Sequence, residues 1–215
     1  MLIEHPFNQA AKKLIKQSFL DSKIILYPTE TLMALGCLMD DEIAVDKLFK
    51  LKKRPLAKAL LMISNNWHNV LPWVEELSDK TIAVFESLNK HPLTIALPSQ
   101  HFVVKFLNPF GKNLAFRVTT NQCCLDLLKI SQKPLVATSA NISGKNSSQN
   151  LANTHKHIKK SVDLTIKQAN GNFSNNLLPS TLVEYKPPNT LVIVREGLYQ
   201  KDELAKKLPK NWLLI

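Results

Sequence analysis

The chain has 215 residues, of which 45% are hydrophobic, and its formal net charge is +11. This length fits one large domain over residues 1–215, and no run approaches the ~18 consecutive apolar residues expected of a membrane-spanning helix. We expect a reducing, cytoplasmic location, because no secretory leader is evident and the three cysteines form neither a metal-binding spacing nor a disulfide framework. The positive charge favours nucleotides, RNA or phosphorylated ligands, although a generally lysine-rich surface gives the same total.

Helices and strands alternate along the chain in the predicted order of elements. Apolar residues at helical spacing predict helices after Asn8, from Asp41, from Ser78 or Asp79, over about 121–131, near 150–160 and over 202–208. Short apolar runs predict strands over about 23–27, 59–63, 92–97, 114–119, 134–139, 180–185 and 190–196. This mixture predicts an α/β or α+β fold with an open sheet, and the polar residues at strand ends mark the edge where such sheets bind ligands.

The stretch "KLKKRPLAKALLMI" (50–63) is the first candidate for a phosphate site. Pro55 ends the preceding helix near Lys53, so that Lys52, Arg54 and Lys58 surround a helix C-terminus and a stiff turn. Arginine forks and lysine point charges suit phosphate oxygens. Solvated cations that favour a helix C-terminus are the alternative, and the stretch alone leaves both open.

The stretch "VATSANISGKNSS" (136–148) is the second candidate. An apolar strand runs into hydroxyl and amide side chains, which either surround phosphate oxygens or form an ordinary polar surface loop. The sequence has neither a Walker A motif nor a GxGxxG motif. A nucleotide site in this chain therefore requires another design.

Arg117 and Arg195 each end an apolar, strand-like run. Charged residues in such a pattern are rarely buried unless they are paired, so each arginine either pairs with Glu30, Glu184 or Glu196 or faces an anionic ligand. Two such arginines together with "KKR" favour a convergent cationic cavity. The histidines lack a metal-ligand framework, and no serine or cysteine has an evident base, which favours chemistry that positions an activated ligand.

Taken together, these stretches resemble the motifs of the YrdC/TsaC family of threonylcarbamoyl-AMP synthases. "YPTETLMALGC" (27–37) is similar to Y-P-T-E-T-x-Y-G-L-G, "KKRPLAKALLMI" to K-x-R-P, "HPLTIAL" to P-G-P-x-T, "LAFRV" to A-V-R, "ATSANISG" to T-S-A-N-x-S-G, and "PSTLVEY" and "VIVREG" to S-T and R-x-G. The matches follow the family's order over about 23–197, and the ordered set is far more specific than any one motif.

The resemblance implies a short, single-domain enzyme with an open, twisted, mixed sheet flanked by helices around a positively charged central cavity. Its motif-bearing core spans about 8–197 and a short helical tail follows over 198–215. The implied reaction condenses L-threonine, bicarbonate or carbon dioxide, and ATP into threonylcarbamoyl-AMP and pyrophosphate for the threonylcarbamoyladenosine modification of tRNA. Mg²⁺ enters mainly on the ATP phosphates, without a protein metal site. Implied partners are transfer proteins of the TsaD, TsaB and TsaE type, and tRNA itself.

The resemblance also implies roles for individual residues. The matched catalytic and ATP-binding positions are Lys52, Arg54, Ser139 and Asn141, and the further ATP-binding positions are Lys58, Ser147 and Arg195. The matched threonine-binding positions are Thr31, Arg117 and Ser180, with Arg117 facing the carboxylate. Glu30 is expected, from its charge alone, to orient a nearby cation.

Three departures from the family pattern fall on pocket walls and turns. Met33 and Ala34 stand where the family commonly has an aromatic residue and Gly, Lys90 and His91 replace Pro-Gly, and Ala59 replaces a frequent proline. We expect them to affect substrate affinity more than reaction type.

An RNA-binding module that holds RNA backbone in the same basic cavity is the main alternative function. It predicts steeply salt-dependent binding, and the sequence lacks an aromatic stacking platform on a basic strand. A regulatory relative without turnover is a second alternative, against which the retained K-x-R and S-x-N residues argue.

Overall fold

The computed structural model describes residues 1–89, 91–144, 150–168 and 178–215. Within these residues the strands form two mixed sheets. The strands are β1 (Leu2–His5), β2 (Ile25–Pro28), β3 (Met33–Gly36), β4 (Leu61–Ser64), β5 (Leu93–Pro98), β6 (Asn113–Val118), β7 (Leu135–Val136), β8 (Thr138–Ser139), β9 (Leu164–Gln168), β10 (Thr181–Lys186), β11 (Thr190–Arg195) and β12 (Leu213–Leu214).

The two sheets differ in size and in strand order. The five-stranded sheet has the order β1-β9-β2-β3-β8, and the seven-stranded sheet has the order β12-β11-β10-β5-β6-β4-β7. In the first, β2 runs parallel to β9 and antiparallel to β3. In the second, β5 runs parallel to β10 and antiparallel to β6. The predicted mixed α/β fold is confirmed.

Seven helices connect the strands in the described residues. They are α1 (Gln9–Leu20), α2 (Glu42–Lys52), α3 (Asp79–Ser87), α4 (Val104–Leu107), α5 (Gln122–Ser131), α6 (Lys156–Ser161) and α7 (Lys201–Lys207). Asn8, Asp41, Ser78 and Asn121 cap four of them, each accepting a hydrogen bond from the backbone N–H three residues on. The predicted starts of α1, α2 and α3 are therefore confirmed.

Two buried apolar clusters hold the sheets and helices together. The larger includes Leu48 of α2, Phe85 of α3 and Phe116 of β6, and the smaller includes Ile15 of α1 and Leu127 of α5. All five side chains are at most 1% exposed, and full burial of such a side chain contributes about 1.5–3 kcal/mol each. The helices thus fix the sheets that carry the candidate site.

The run 134–139 joins the two sheets, and its prediction as one strand is wrong. Its first part, β7, pairs with β4 in the seven-stranded sheet, whereas β8 pairs with β3 in the five-stranded sheet. The chain crosses between the sheets at Ala137, whose N–H donates to the Leu61 carbonyl over 2.7 Å. A Cβ at Gly36 of β3 would lie 2.0 Å from the Val136 carbonyl oxygen, so this crossing requires glycine there.

The strands that the sequence did not predict are short, and β1 pairs with a strand that is remote in sequence. β1 pairs with β9, which lies about 160 residues further along the chain, and β3 lies within the motif "YPTETLMALGC". The helix predicted near 150–160 begins only at Lys156. Neither the pairing partner of a four-residue strand nor its burial is visible in the local sequence.

Candidate active site

A cavity of about 640 Å³ is lined by residues of both sheets and of the loop after α2. Its position follows from the crossing at Ala137, where the two sheets diverge. The predicted site residues that line the cavity are Thr31, Arg54, Arg117, Ser139, Ser180 and Arg195. Residues remote in sequence thus share one cavity, and three of them are arginines.

Arg54 is half-buried and fixed by the loop that follows it. Helix α2 ends because Lys53 adopts a left-handed conformation with φ 48°, and Pro55 stiffens the turn. The guanidinium of Arg54 then donates from Nε to the Lys58 carbonyl over 3.0 Å and from Nη2 to the Ala59 carbonyl over 2.7 Å. Arg54 is therefore oriented toward the cavity without a carboxylate partner in the described part of the chain.

Arg117 is buried on β6, with its side chain only 4% exposed. Its Nε lies 3.2 Å from Glu30 Oε1, and its Nη1 donates to Thr31 Oγ1 over 3.3 Å. Thr119 Oγ1 donates to the other oxygen of Glu30 over 3.0 Å. Of the two alternatives for Arg117, pairing with Glu30 is confirmed, and the same residue also lines the cavity.

The hairpin between β2 and β3 presents Thr31 to the cavity. Pro28 pairs with Met33, so residues 29–32 form the turn. The Thr29 hydroxyl accepts hydrogen bonds from the backbone N–H groups of Thr31 and Leu32 and donates to the Leu32 carbonyl. This explains why a turn can form here without the usual Gly, Asn or Asp.

Arg195 lies at the exposed rim of the cavity, at the end of β11. Its Nη2 donates to the Ser180 carbonyl over 2.9 Å. Arg195 therefore contacts a backbone oxygen, whereas the sequence predicted either a glutamate partner or an anionic ligand. The two other candidate partners are engaged elsewhere, Glu184 with Lys186 and Glu196 with the backbone of α7. Ser180 is 3% exposed and has two contacts. Its carbonyl accepts from Arg195, and its hydroxyl oxygen lies 2.8 Å from Thr94 Oγ1.

Lys52 lies beneath the cavity rather than on its wall. The side chain is 1% exposed, and its Nζ contacts the Ser139 carbonyl, the Asn141 carbonyl and Asn141 Oδ1. The Ser139 hydroxyl donates to the same Oδ1 over 2.6 Å. Lys52 and Asn141 thus fix the strand end on which Ser139 faces the cavity.

Four cations of the site form a chain of like charges. The pKa of Lys52 is lowered to about 7, first by burial and then by the charge of Arg54. The pKa of Arg54 is lowered by burial and by Arg195, and the pKa of Arg195 is lowered by partial burial and by Arg117. Cations that lower one another's pKa lie close together, and an anion bound between them would relieve their repulsion.

Lys58 and Ser147 are the remaining predicted site residues. Lys58 has an exposed side chain and contributes its backbone carbonyl to Arg54. Ser147 and Lys90 lie outside the described residues. Met33 and Ala34, which depart from the family pattern, do line the cavity wall.

Sequence reasoning did not single out the residues that orient the cavity side chains. They are Thr29, Thr94 and Thr119, whose hydroxyls contact the turn, Ser180 and Glu30. Threonine is common in strands, so a threonine in a strand does not by itself indicate a role in orienting a site. Only its position within the family motifs could have indicated such a role.

The described residues contain no group of three or more His, Cys, Asp or Glu side chains that could hold a metal ion. In the same residues, no helix is both long and apolar enough to cross a membrane. Glu30, the carboxylate beside the cavity, is engaged by Arg117 and Thr119. The site chemistry therefore consists of cations, hydroxyls and backbone groups.

Comparison with known proteins places this site in a family. A family model described as "Telomere recombination", for the Sua5/YciO/YrdC proteins, matches residues 17–197. A protein of Pseudoalteromonas translucida named threonylcarbamoyl-AMP synthase is 32% identical over 163 residues, 74% of this chain and 85% of its own. An Idiomarina loihiensis protein of the same name is 33% identical over 161 residues, 74% of this chain and 86% of its own.

A solved structure shares the fold. The crystal structure of P. abyssi Sua5 complexed with L-threonine superimposes with a TM-score of 0.81 at 23% identity. The match covers 99% of this chain and 62% of that chain. The family model matches more than half of the chain, and each of the two relatives is more than 30% identical to it. The chain belongs to the Sua5/YciO/YrdC family.

Proposed function

We propose that this chain is a threonylcarbamoyl-AMP synthase, an enzyme that condenses L-threonine, bicarbonate and ATP and releases pyrophosphate. The observation that carries the proposal is the convergence of Arg54, Arg117 and Arg195 on one cavity that also presents hydroxyls. The names of the relatives supply the reaction, since proteins 32% and 33% identical to this chain carry this name.

The Arg117 end of the cavity is the proposed threonine site. Glu30 compensates part of the charge of Arg117, so that one further monoanion, the threonine carboxylate, completes the site. Thr31 lies beside the same guanidinium and Ser180 lines the same cavity, and both offer hydroxyls to the amino acid. Binding the carboxylate here leaves the threonine amine free to capture carbon dioxide as a carbamate.

The Arg54 and Arg195 end is the proposed nucleotide site. Both guanidiniums use part of their N–H groups on backbone carbonyls and retain the rest for phosphate oxygens. Ser139 adds a hydroxyl, and Lys52 with Asn141 positions it from below. Direct contact of Lys52, Asn141, Lys58 or Ser147 with ATP stays a prediction.

The reaction brings two anions together, and this explains the charge of the cavity. A carbamate oxygen attacks the α-phosphorus of ATP, and the bond from that phosphorus to pyrophosphate breaks. Like charges oppose this approach in water, whereas fixed guanidiniums in a partly buried site offset the repulsion and hold the reactants in line. The protein contributes binding, orientation and electrostatic stabilisation, without a covalent intermediate.

Mg²⁺ and the partners complete the proposal. Because the described residues supply no carboxylate set for a metal, Mg²⁺ would arrive on the triphosphate, held by phosphate oxygens and water. A cytoplasmic location, tRNA and transfer proteins that consume the labile product follow from the proposed reaction.

The test is pyrophosphate release from ATP by the purified chain. We expect release that requires both L-threonine and bicarbonate, with the adenylate detected by mass spectrometry. ATP plus threonine should also raise the melting temperature, because a ligand that binds only the folded state stabilises it. Stabilisation by RNA instead of ATP and threonine, with no dependent pyrophosphate release, would favour the RNA-binding alternative and overturn the proposal.

A further inference from the structure

Thr94 lies behind the cavity wall and contacts Ser180, one of the residues that face the ligand. Thr94 is on β5 and is 0% exposed, whereas Ser180 precedes β10 and lines the cavity. Strands β5 and β10 run parallel, with Leu93 paired to Thr181, so the two hydroxyls meet across the strands. Their oxygens are 2.8 Å apart.

Either hydroxyl can be the donor in this contact, and the complete burial of Thr94 favours one direction. Each hydroxyl has one hydrogen to donate and two lone pairs to accept with. Ser180 Oγ is the one hydrogen-bond partner of Thr94 Oγ1 within the described residues, and a buried hydroxyl that donates to nothing is costly. The Thr94 hydrogen therefore points to Ser180 Oγ.

The hydrogen of Ser180 is then left for the cavity. The backbone carbonyl of Ser180 accepts from Arg195, and the next residue is held by its own contacts, since Thr181 Oγ1 donates to the Tyr199 carbonyl over 2.6 Å. These contacts hold the backbone on both sides of the Ser180 side chain. The hydrogen bond from Thr94 then restricts how the hydroxyl itself rotates.

We infer that Thr94 is a positioning residue that makes Ser180 a hydrogen-bond donor to an acceptor oxygen of the amino-acid substrate. The inference rests on the proposed function, because it takes threonine as the ligand of this end of the cavity. Thr94 itself does not reach the substrate. Its hydroxyl acts on threonine affinity through the Ser180 hydroxyl, whereas Arg195 at the phosphate end contacts the Ser180 backbone carbonyl.

The experiment compares Thr94→Val, which keeps the shape and loses the hydroxyl, with Thr94→Ser, which loses a methyl and keeps the hydroxyl. Threonine binding is measured by calorimetry on the purified chain and does not need turnover. We expect T94V to weaken threonine binding about tenfold, the effect of one hydrogen bond, with ATP binding within about twofold of wild type. T94S should restore threonine binding even where its melting temperature falls.

A double-mutant cycle separates positioning from a general structural role. If Thr94 acts through Ser180, T94V has no further effect on threonine binding in a Ser180→Ala background. A full additional loss in that background, or equal threonine binding by T94V and wild type, overturns the inference alone. Absence of threonine binding by the wild-type chain overturns the proposed function and the inference with it.

Discussion

The two ends of the cavity balance their charges in different ways. At one end Arg117 is buried beside Glu30, whose second oxygen is held by Thr119. At the other end Arg54 and Arg195 donate to backbone carbonyls, and neither pairs with a carboxylate in the part of the chain that the structure describes.

This difference matches the charges of the two proposed ligands. A compensated arginine retains enough positive potential for one carboxylate, and its rigid setting favours selectivity. Two uncompensated arginines suit a polyanion, since the ligand itself supplies the missing negative charge. The pattern of counter-charges therefore supports the proposed division of the cavity into a threonine end and a triphosphate end.

Removing Arg54 tests the uncompensated end and should have the largest effect. We expect Arg54→Ala to lower kcat/KM for ATP by about 100-fold or more, because a fixed cation at the transferring phosphate is lost. Arg54→Lys should recover only part of the activity, since an ammonium cannot reproduce the planar fork that also binds the carbonyls of residues 58 and 59. Threonine-dependent pyrophosphate release measures both variants.

The matched control is Lys50→Ala, on the helix that precedes Arg54. Lys50 is exposed and pairs with Asp46 over 2.6 Å, so its loss changes the net charge equally but leaves the cavity intact. We expect its kcat/KM to stay within about twofold of wild type, as for other exposed pairs. An R54A variant as active as K50A would contradict the assignment of the phosphate end.

Removing the counter-charge tests the compensated end. We expect Glu30→Gln to raise KM for threonine about tenfold, because Arg117 loses the ion pair that orients it toward Thr31. KM for ATP should change by less than about twofold, since Arg54 and Arg195 keep their partners. Initial rates at varied threonine and varied ATP give both constants.

Glu184→Gln is the corresponding control, because Glu184 pairs with Lys186 and Asn113 outside the cavity. Its two KM values should equal those of wild type. If E30Q raised both KM values equally, the charges at the two ends of the cavity would act together on both substrates. The distinction between a threonine end and a phosphate end would then be wrong.

The sequence predicted which charged residues line the cavity more reliably than it predicted what each of them contacts. Arg117 and Arg195 stood out because a cation in an apolar strand needs a partner, and the structure places both at one cavity. For Arg117 the choice between Glu30 and a ligand could not be made in advance, because Glu30 is remote in sequence, in the turn between β2 and β3. The positive charge indicated only an anionic ligand. The resemblance to a family, which rests on the ordered motifs, indicated a particular reaction and its substrates.

The orientation of the site depends on contacts that local patterns do not contain. The run 134–139 looked like one strand, yet it divides at Ala137 between two sheets, and this division opens the cavity beside Ser139. The contact of Thr94 with Ser180 joins residues 86 positions apart. Pairings of this kind are set by topology, so a single sequence without its partners cannot show them.

Lys52 provides the smallest effect and tests whether positive charge accumulates at the Arg54 end. Its native pKa is lowered to about 7 by burial and by Arg54, whereas an unfolded lysine titrates near ~10.4. Below the native pKa the ammonium is charged in both states and its burial cost is fully present. Between about pH 7 and about pH 10 the unfolded chain binds the extra proton, so the free energy of unfolding rises with pH.

We therefore expect the stability of wild type relative to Lys52→Met to increase across that window, by no more than about 1.4 kcal/mol per pH unit, the limit for one proton. Denaturant unfolding of both proteins at each pH measures the difference and cancels the titration of other groups. The control is Lys53→Met, since Lys53 is exposed and shares the same helix end, and its difference from wild type should not vary with pH. A difference for K52M that is equally flat would mean that the three oxygens around Nζ keep Lys52 charged, so that its carbonyl partners would offset the repulsion from Arg54.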